Sequence, residues 1–76
     1  MSIWAWVKIK MLAKNLKKLR KQRKLSQEKL ARLIDISYNT IAKIEAGKAK
    51  NPTFETLSKL ANLFGISIDE LVGRKN

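Results

Sequence analysis

Apolar residues over most of the chain recur at spacings of three and four, which is the period of an amphipathic helix. The recurring positions are Leu12, Leu16 and Leu19; Leu30, Ala31 and Ile34; Ile41 and Ile44; and Leu57, Leu60, Ala61 and Phe64. They predict four helices, over Leu12–Lys24, Gln27–Ile34, Tyr38–Ala46 and Phe54–Phe64. A fifth, short helix is predicted between Ser67 and Val72. The pattern therefore indicates an all-α domain of five helices.

Residues that start and end helices stand at the predicted boundaries. A hydroxyl residue precedes each of the last four helices, where it can accept from an unpaired backbone N–H; these are Ser26, Ser37, Thr53 and Ser67. The chain's glycines follow helices, where the left-handed conformation can end them; these are Gly47, Gly65 and Gly73. Only residues 35–37 separate the second and third helices. Two helices so closely joined must cross steeply, as in a helix-turn-helix.

The first eleven residues have a different pattern. Apolar residues at odd positions from Ile3 to Met11 alternate with tryptophan and lysine at even positions, which is the period of a β-strand. A single strand needs a partner, so three interpretations stay open: pairing with its own copy across a dimer, disorder, or a start-site artefact with Met11 as the true start. The sequence thus divides into an extension over 1–11, a domain over 12–73 and a frayed tail over 74–76.

The charge of the chain favours a polyanionic partner. Its 76 residues include 17 lysines and arginines but only six acidic residues, a formal charge of +11. Nucleic acid is the first candidate and an acidic membrane surface the second. Cysteine and histidine are both absent, which removes disulfides, the commonest metal ligands and the commonest general base. We therefore expect no enzymatic activity, no metal and no cofactor.

The sequence also bears on location. No apolar run approaches the roughly 20 residues that span a bilayer. The N-terminus lacks the charged region and the small-residue cleavage site of a secretory signal. We expect a cytoplasmic protein, associated with the nucleoid and not with membranes.

A series of motifs follows in order along residues 12–73. They are Ser-Gln at the start of the second helix, Leu-Ala two residues on, Ile-x-x-Ile-Glu-x-Gly, a proline before the fourth helix, and Gly-Ile-Ser-Ile-Asp-Glu-Leu. This order resembles the helix-turn-helix domain of phage repressors and Cro-like regulators, the xenobiotic response element type. The resemblance implies a compact lambda-repressor-like domain that binds B-DNA, with the third helix in the major groove and the second across the backbone. It further implies a transcriptional repressor that binds a palindromic operator as a homodimer.

The resemblance also assigns roles to individual residues. The residues implied to face base edges are Tyr38, Asn39, Thr40 and Lys43; those implied to contact phosphates are Gln27, Ser37, Lys48 and Lys50. It implies a structural ion pair between Arg20 and Glu45, with Gln27 bracing the recognition helix. The side-chain chemistry agrees, because asparagine can pair with adenine N6 and N7 and lysine can reach guanine O6 or N7.

Two features depart from the family pattern or leave a different function open. Asp35 stands where the turn usually has glycine; aspartate tolerates the left-handed conformation better than most residues. Trp4 and Trp6 suit a protein interface, since tryptophan is enriched among interface anchors. The alternative function is therefore a module on the same scaffold that binds a protein partner, such as an antitoxin, with autoregulatory DNA binding.

Overall fold

A computed structural model describes the backbone of residues 3–49 and 52–73, and the side chains within these ranges from Lys8 onward. Five helices follow one another: α1 (Ile3–Gln22), α2 (Gln27–Leu33), α3 (Tyr38–Glu45), α4 (Phe54–Phe64) and α5 (Ile68–Leu71). The predicted all-α fold is thereby confirmed, and the predicted boundaries of α2 to α5 agree to within a residue at each end. Residues 1–2 of the predicted extension and the predicted frayed tail, residues 74–76, lie outside the described residues.

The β-strand predicted in the N-terminal extension is wrong. Ile3–Met11 instead forms the first turns of α1, and no strand occurs among the described residues. Extending a helix that residues 12–22 have already nucleated adds a hydrogen bond for each residue fixed. A strand would have required a partner edge. Continuation of the helix therefore overrides the alternating pattern.

One apolar core lies between the helices. Helix α3 packs against both α1 and α2, while α5 packs against α4 and α1. The buried apolar residues are Leu12, Leu16, Leu30, Ala31, Ile34, Ile41, Ile44, Leu60, Ala61, Phe64 and Leu71. Leu19 and Leu57, two further members of the predicted series, are partly buried against this cluster. The core therefore holds α3 against α1 and α2, and the face of α3 that is turned away from them is exposed.

The junctions between helices repeat one local design. After α1, α2 and α4 comes a residue with positive φ, then an apolar residue, then the serine that caps the next element; these triplets are Lys24-Leu25-Ser26, Asp35-Ile36-Ser37 and Gly65-Ile66-Ser67. The apolar residue's N–H reaches back to a carbonyl in the preceding helix, as Leu25 does to Arg20 (3.1 Å) and Ile36 to Ala31 (2.9 Å). This is the Schellman geometry of a helix end. All four hydroxyl caps and the Ser67–Glu70 capping box are present as predicted.

Two side chains, Asn15 on α1 and Arg23 directly after it, tie this part of the chain to the C-terminal half of the domain. Asn15 Nδ2 donates to the carbonyl of Leu71 at 3.0 Å, at the end of α5. Arg23 donates to the carbonyls of Leu63 and Phe64 at 3.2 and 3.3 Å, and its guanidinium lies 5.4 Å from the centre of the Phe64 ring. The positive charge of Arg23 at these carbonyls also interacts favourably with the negative, C-terminal end of the α4 dipole. Helix α1 and the residue that follows it therefore contact the ends of both α4 and α5.

The positive φ of Lys24 and Asp35, +56° and +55°, generates a first prediction. A side chain in the left-handed region costs about 1–2 kcal/mol, less for aspartate. Glycine avoids that cost, although it loses more conformational entropy on folding than other residues. We expect Lys24→Gly and Asp35→Gly each to raise the free energy of unfolding by about 0.5–1 kcal/mol. Thermal unfolding should show melting temperatures higher by a few degrees.

The matched control is Gly65→Ala, at a φ of +68° where an added Cβ meets no atom within 4 Å. Its loss of stability should be about 1 kcal/mol and purely conformational. A lower melting temperature for Asp35→Gly would show that the positive φ of Asp35 does not destabilise this turn.

Candidate nucleic-acid interface

A buried carboxylate joins the first three helices. Arg20 on α1 donates through Nε and Nη2 to the two oxygens of Glu45 on α3, at 2.6 and 2.9 Å. Gln27, the first residue of α2, donates to the same carboxylate at 3.1 Å. Arg20 Nη1 also donates to the carbonyl of Leu25 at 2.7 Å. The structure thus brings together the residues for which the resemblance implied an ion pair and a brace.

The charges of this network are compensated within it. The side chains of Arg20 and Glu45 are only 13% and 2% exposed, and no described buried side-chain N or O atom lacks a hydrogen-bond partner. Hydrogen bonding to Glu45 raises the pKa of Arg20 above its ordinary value, against the lowering effect of burial. A pKa that is raised in the folded state contributes stability that is lost only as the pH rises through that pKa. Since arginine is protonated at all ordinary pH values, this contribution is present throughout the range in which proteins are handled.

Helix α3 separates its residues cleanly into two faces. Ile41, Ile44 and Glu45 are buried, whereas Tyr38 (47% exposed), Asn39 and Lys43 face outward. Asn39 and Lys43 are four residues apart, so they are neighbours on the outer face. The outer face therefore presents an amide, an ammonium and a phenol side by side, held by a buried inner face.

The first turn of α3 is closed by two hydroxyls. Ser37 Oγ accepts from the N–H of Thr40 at 3.2 Å, and the two hydroxyl oxygens lie 2.8 Å apart. If Thr40 donates in this pair, the proton of the exposed Ser37 hydroxyl is left to donate outward. Thr40 is half-buried and its hydroxyl is already engaged, unlike the side chains of Tyr38 and Asn39.

Gln27 has donor capacity beyond its contact with Glu45. An amide nitrogen carries two N–H groups, and Glu45 takes one of them. The half-buried Gln27 can therefore brace α3 and offer its second N–H to a phosphate together. Its position at the first turn of α2 places it beside the unpaired backbone N–H groups of a helix start.

A shallow groove of about 480 Å³ continues from α3 to the start of α4. Thr40, Lys43, Lys48 and the cap Thr53 are among the residues that line it. Lys48 is exposed, directly after Gly47 at the end of α3. Lys50, the other loop lysine with an implied phosphate contact, lies outside the described residues. The groove therefore connects Thr40 and Lys43 on α3 with Lys48 and with Thr53 at the start of α4.

Some features of this region have no clear signal in the sequence. Phe54 opens α4 beside the groove and is 75% exposed, although its position at the start of an amphipathic helix does not distinguish it from a core residue. The positive φ of Lys24 is equally unexpected, because lysine has no preference for it. Arg23 belongs to a run of basic residues in which the pattern alone does not identify the one that contacts Phe64.

Other kinds of site find no support in the described part of the chain. Among those residues no group of three or more acidic, histidine or cysteine side chains is placed to hold a metal ion. None of their helices is long and apolar enough to cross a bilayer.

Comparison with known proteins identifies the class. Residues 16–71 match the helix-turn-helix family. The chain is 39% identical over 62 residues to the cryptic phage CTXphi transcriptional repressor of Vibrio cholerae, covering 82% of this chain and 55% of that protein. It is 34% identical over 64 residues to the immunity repressor of Bacillus phage phi105, covering 84% of this chain and 44% of that protein.

A third relative is an uncharacterised helix-turn-helix transcriptional regulator of Rickettsia prowazekii, 36% identical over 58 residues, covering 72% of this chain and 63% of that protein. The chain therefore spans roughly half the length of these curated relatives. It belongs to the helix-turn-helix family of the xenobiotic response element type, a family of DNA-binding regulators.

The buried network generates a second prediction. Removing one member of a buried ion pair leaves the other uncompensated, so we expect Glu45→Ala to lower the free energy of unfolding by about 3 kcal/mol. Glu55→Ala is the matched control, since Glu55 is 78% exposed and its pair with Lys59 spans 3.5 Å; that pair contributes less than about 0.5 kcal/mol.

Urea unfolding of both variants measures the difference, and the double substitution Arg20→Met with Glu45→Leu should recover much of the loss. Similar losses for Glu45→Ala and Glu55→Ala would show that the network does not stabilise the fold.

Proposed function

We propose that this helix-turn-helix regulator represses transcription by binding a specific double-stranded DNA sequence with α3 in the major groove. The observation that carries the proposal is the outward face of α3, whose exposed Tyr38, Asn39 and Lys43 stand on a helix fixed by the buried Glu45. A fixed helix limits the loss of conformational entropy on binding. The named phage repressors among the relatives support repression.

Within this proposal the side chains divide into two groups. Asn39 reads adenine through its amide and Lys43 reads guanine, while Tyr38 and Thr40 lie beside them over thymine methyl groups. Gln27, Ser37, Lys48 and Lys50 contact phosphates, which positions the helix without reading sequence. The ion pair of Arg20 and Glu45 stays structural. The DNA-binding domain proposed here extends over residues 12–73.

We further propose that two copies bind a palindromic operator. One helix the length of α3, eight residues, reads few base pairs, and two-fold symmetric proteins of this kind place half-sites about one helical turn, roughly 34 Å, apart. A homodimer on such a site would bury enough surface for selective binding. Its place of action would be the nucleoid in the cytoplasm.

The first test selects duplexes from a random library at near-physiological salt. We expect enrichment of a palindrome, and the complex on the selected duplex should contain two chains by sedimentation. Binding without enrichment would contradict the proposal, because the charge of +11 then supplies only the sequence-independent affinity of phosphate contacts.

A third prediction distinguishes side chains that read bases from side chains that position the helix through phosphates. Asn39→Ala should cost about 1–3 kcal/mol of discrimination at one base position and relax the preference there. Lys48→Gln should weaken binding to all sequences and lower the salt dependence by about one unit of log–log slope. Quantitative binding to the selected site and to its single-base variants measures both effects.

The matched control for the first substitution is Asn62→Ala, which removes an exposed asparagine from α4. It should leave affinity and preference unchanged. An Asn39→Ala variant with the same base preference as the parent would remove Asn39 from the base-reading group.

A further inference from the structure

Five lysines lie along one side of α1. They are spaced at i, i+4, i+7, i+8 and i+11, and at 100° per residue they fall within an arc of about 100°: Lys10, Lys14, Lys17, Lys18 and Lys21. All five are exposed. We call this group the lysine face. Lys8 lies about 160° from Lys10, on the opposite side of the same helix.

The lysine face borders a broad groove. This groove, of about 970 Å³, separates α1 from the end of α3 and is lined by the five lysines together with Glu45, Gly47 and Lys48. Apolar atoms of Ile9, Met11 and Ala13 also contribute to its wall. Lys48 lines this groove and the one that runs along α3 to Thr53. The lysine face is therefore continuous with the candidate DNA-binding surface.

Four of the five lysines have charges that the described part of the fold does not balance. Among the described residues, Lys14, Lys17, Lys18 and Lys21 make no ion pair with a carboxylate. Glu45 is the one carboxylate that lines the groove, and it is already bound by Arg20 and Gln27. Like charges four residues apart, such as Lys14 and Lys18, repel each other and destabilise a helix. An anion bound in the groove would remove that repulsion.

We propose that the lysine face is a second phosphate-binding surface, which contacts the DNA backbone beyond the base pairs that α3 reads. This inference rests on the proposed function. Its occupant is the flanking duplex because Lys48 joins the lysine face to the α3 surface without a gap. From Lys10 to Lys21 the helix rises about 16 Å, which corresponds to at most about five base-pair steps of 3.4 Å. The bound site is accordingly longer than the sequence that is read.

The test compares the parent with the double variant Lys14→Gln/Lys18→Gln on two duplexes. Both carry the selected operator, one with two flanking base pairs at each end and one with ten. The parent should bind the longer duplex at least tenfold more tightly, and the double variant should lose most of this advantage. Its log–log salt slope on the longer duplex should fall by about 0.9 for each phosphate contact removed.

The control variant is Lys8→Gln/Lys59→Gln, which removes the same charge from the opposite side of α1 and from α4. It should keep the flank advantage. Without DNA at low salt, Lys14→Gln/Lys18→Gln should melt at a higher temperature than the parent, because repulsion along the lysine face is reduced. The control variant Lys8→Gln/Lys59→Gln should show no such gain, because neither lysine has a like-charged residue three or four positions away.

Three results would overturn the inference. Equal losses in the two double variants would attribute the effect to net charge alone. A parent indifferent to flank length would show that DNA does not reach the lysine face, which would leave an acidic protein as the occupant; recognition of the operator would then still stand. If the parent protein selects no operator, the proposed function is wrong, and this inference is wrong with it.

Discussion

The carboxylate of Glu45 is the constraint on which the arrangement of the first three helices depends. It takes two hydrogen bonds from Arg20 and one from Gln27, so α1, α2 and α3 meet at a single group. Apolar packing alone would allow α3 to rotate or slide with modest cost, since its inner face offers only Ile41 and Ile44 as large apolar side chains. A bidentate pair has fixed geometry. The network therefore sets the rotation of α3 about its own axis, and with it which residues face outward.

This network accounts for the division of α3 into a fixed inner face and a polar outer face. Glu45 is buried at the end of the helix, and the Ser37–Thr40 hydroxyl pair closes its start. Between these two ends Asn39 and Lys43 project without a described hydrogen bond or ion pair of their own. The rigid backbone supplies position, while the side chains keep the freedom to adjust to base edges. The buried charge serves the orientation of the helix, which is the role that best explains its retention in a small core.

The sequence predicted those features that are local or that carry a specific motif. Hydroxyl caps and glycine ends depend on a few neighbouring residues, and the apolar series of α2, α3 and α4 depend on helical period, so α2 to α5 were predicted closely. The pairing of Arg20 with Glu45 spans 25 positions, and only the family resemblance pointed to it. The extension was misinterpreted because residues 3–11 alternate between apolar residues and tryptophan or lysine, a pattern that fits a strand. In the helix, Ile9 and Met11 are both half-buried, and both line the groove between α1 and the end of α3.

What the sequence could not predict is set by tertiary contacts or by strain. Arg23 stands among five basic residues between positions 18 and 24, and only the position of Phe64 selects it as the one over the ring. Lys24 adopts its positive φ because the chain must reverse between α1 and α2, where the Leu25 N–H returns to Arg20. No propensity of lysine indicates this. In both cases the cause lies in where the helices pack, which follows from the whole fold and not from the nearest residues.

The contacts of α1 have a consequence for how the domain opens. On α1, Asn15 bonds to the end of α5 and Arg20 bonds to α3, while Arg23, directly after α1, bonds to the end of α4. Separating any of these helices breaks a contact with α1 as well as the shared core, so the domain unfolds as one cooperative unit. The turns of α1 that precede Leu12 are the exception, because residues 8–11 include no fully buried side chain. We expect amide hydrogens in these first turns to exchange with solvent through local opening, and those in the later turns to exchange only on global unfolding.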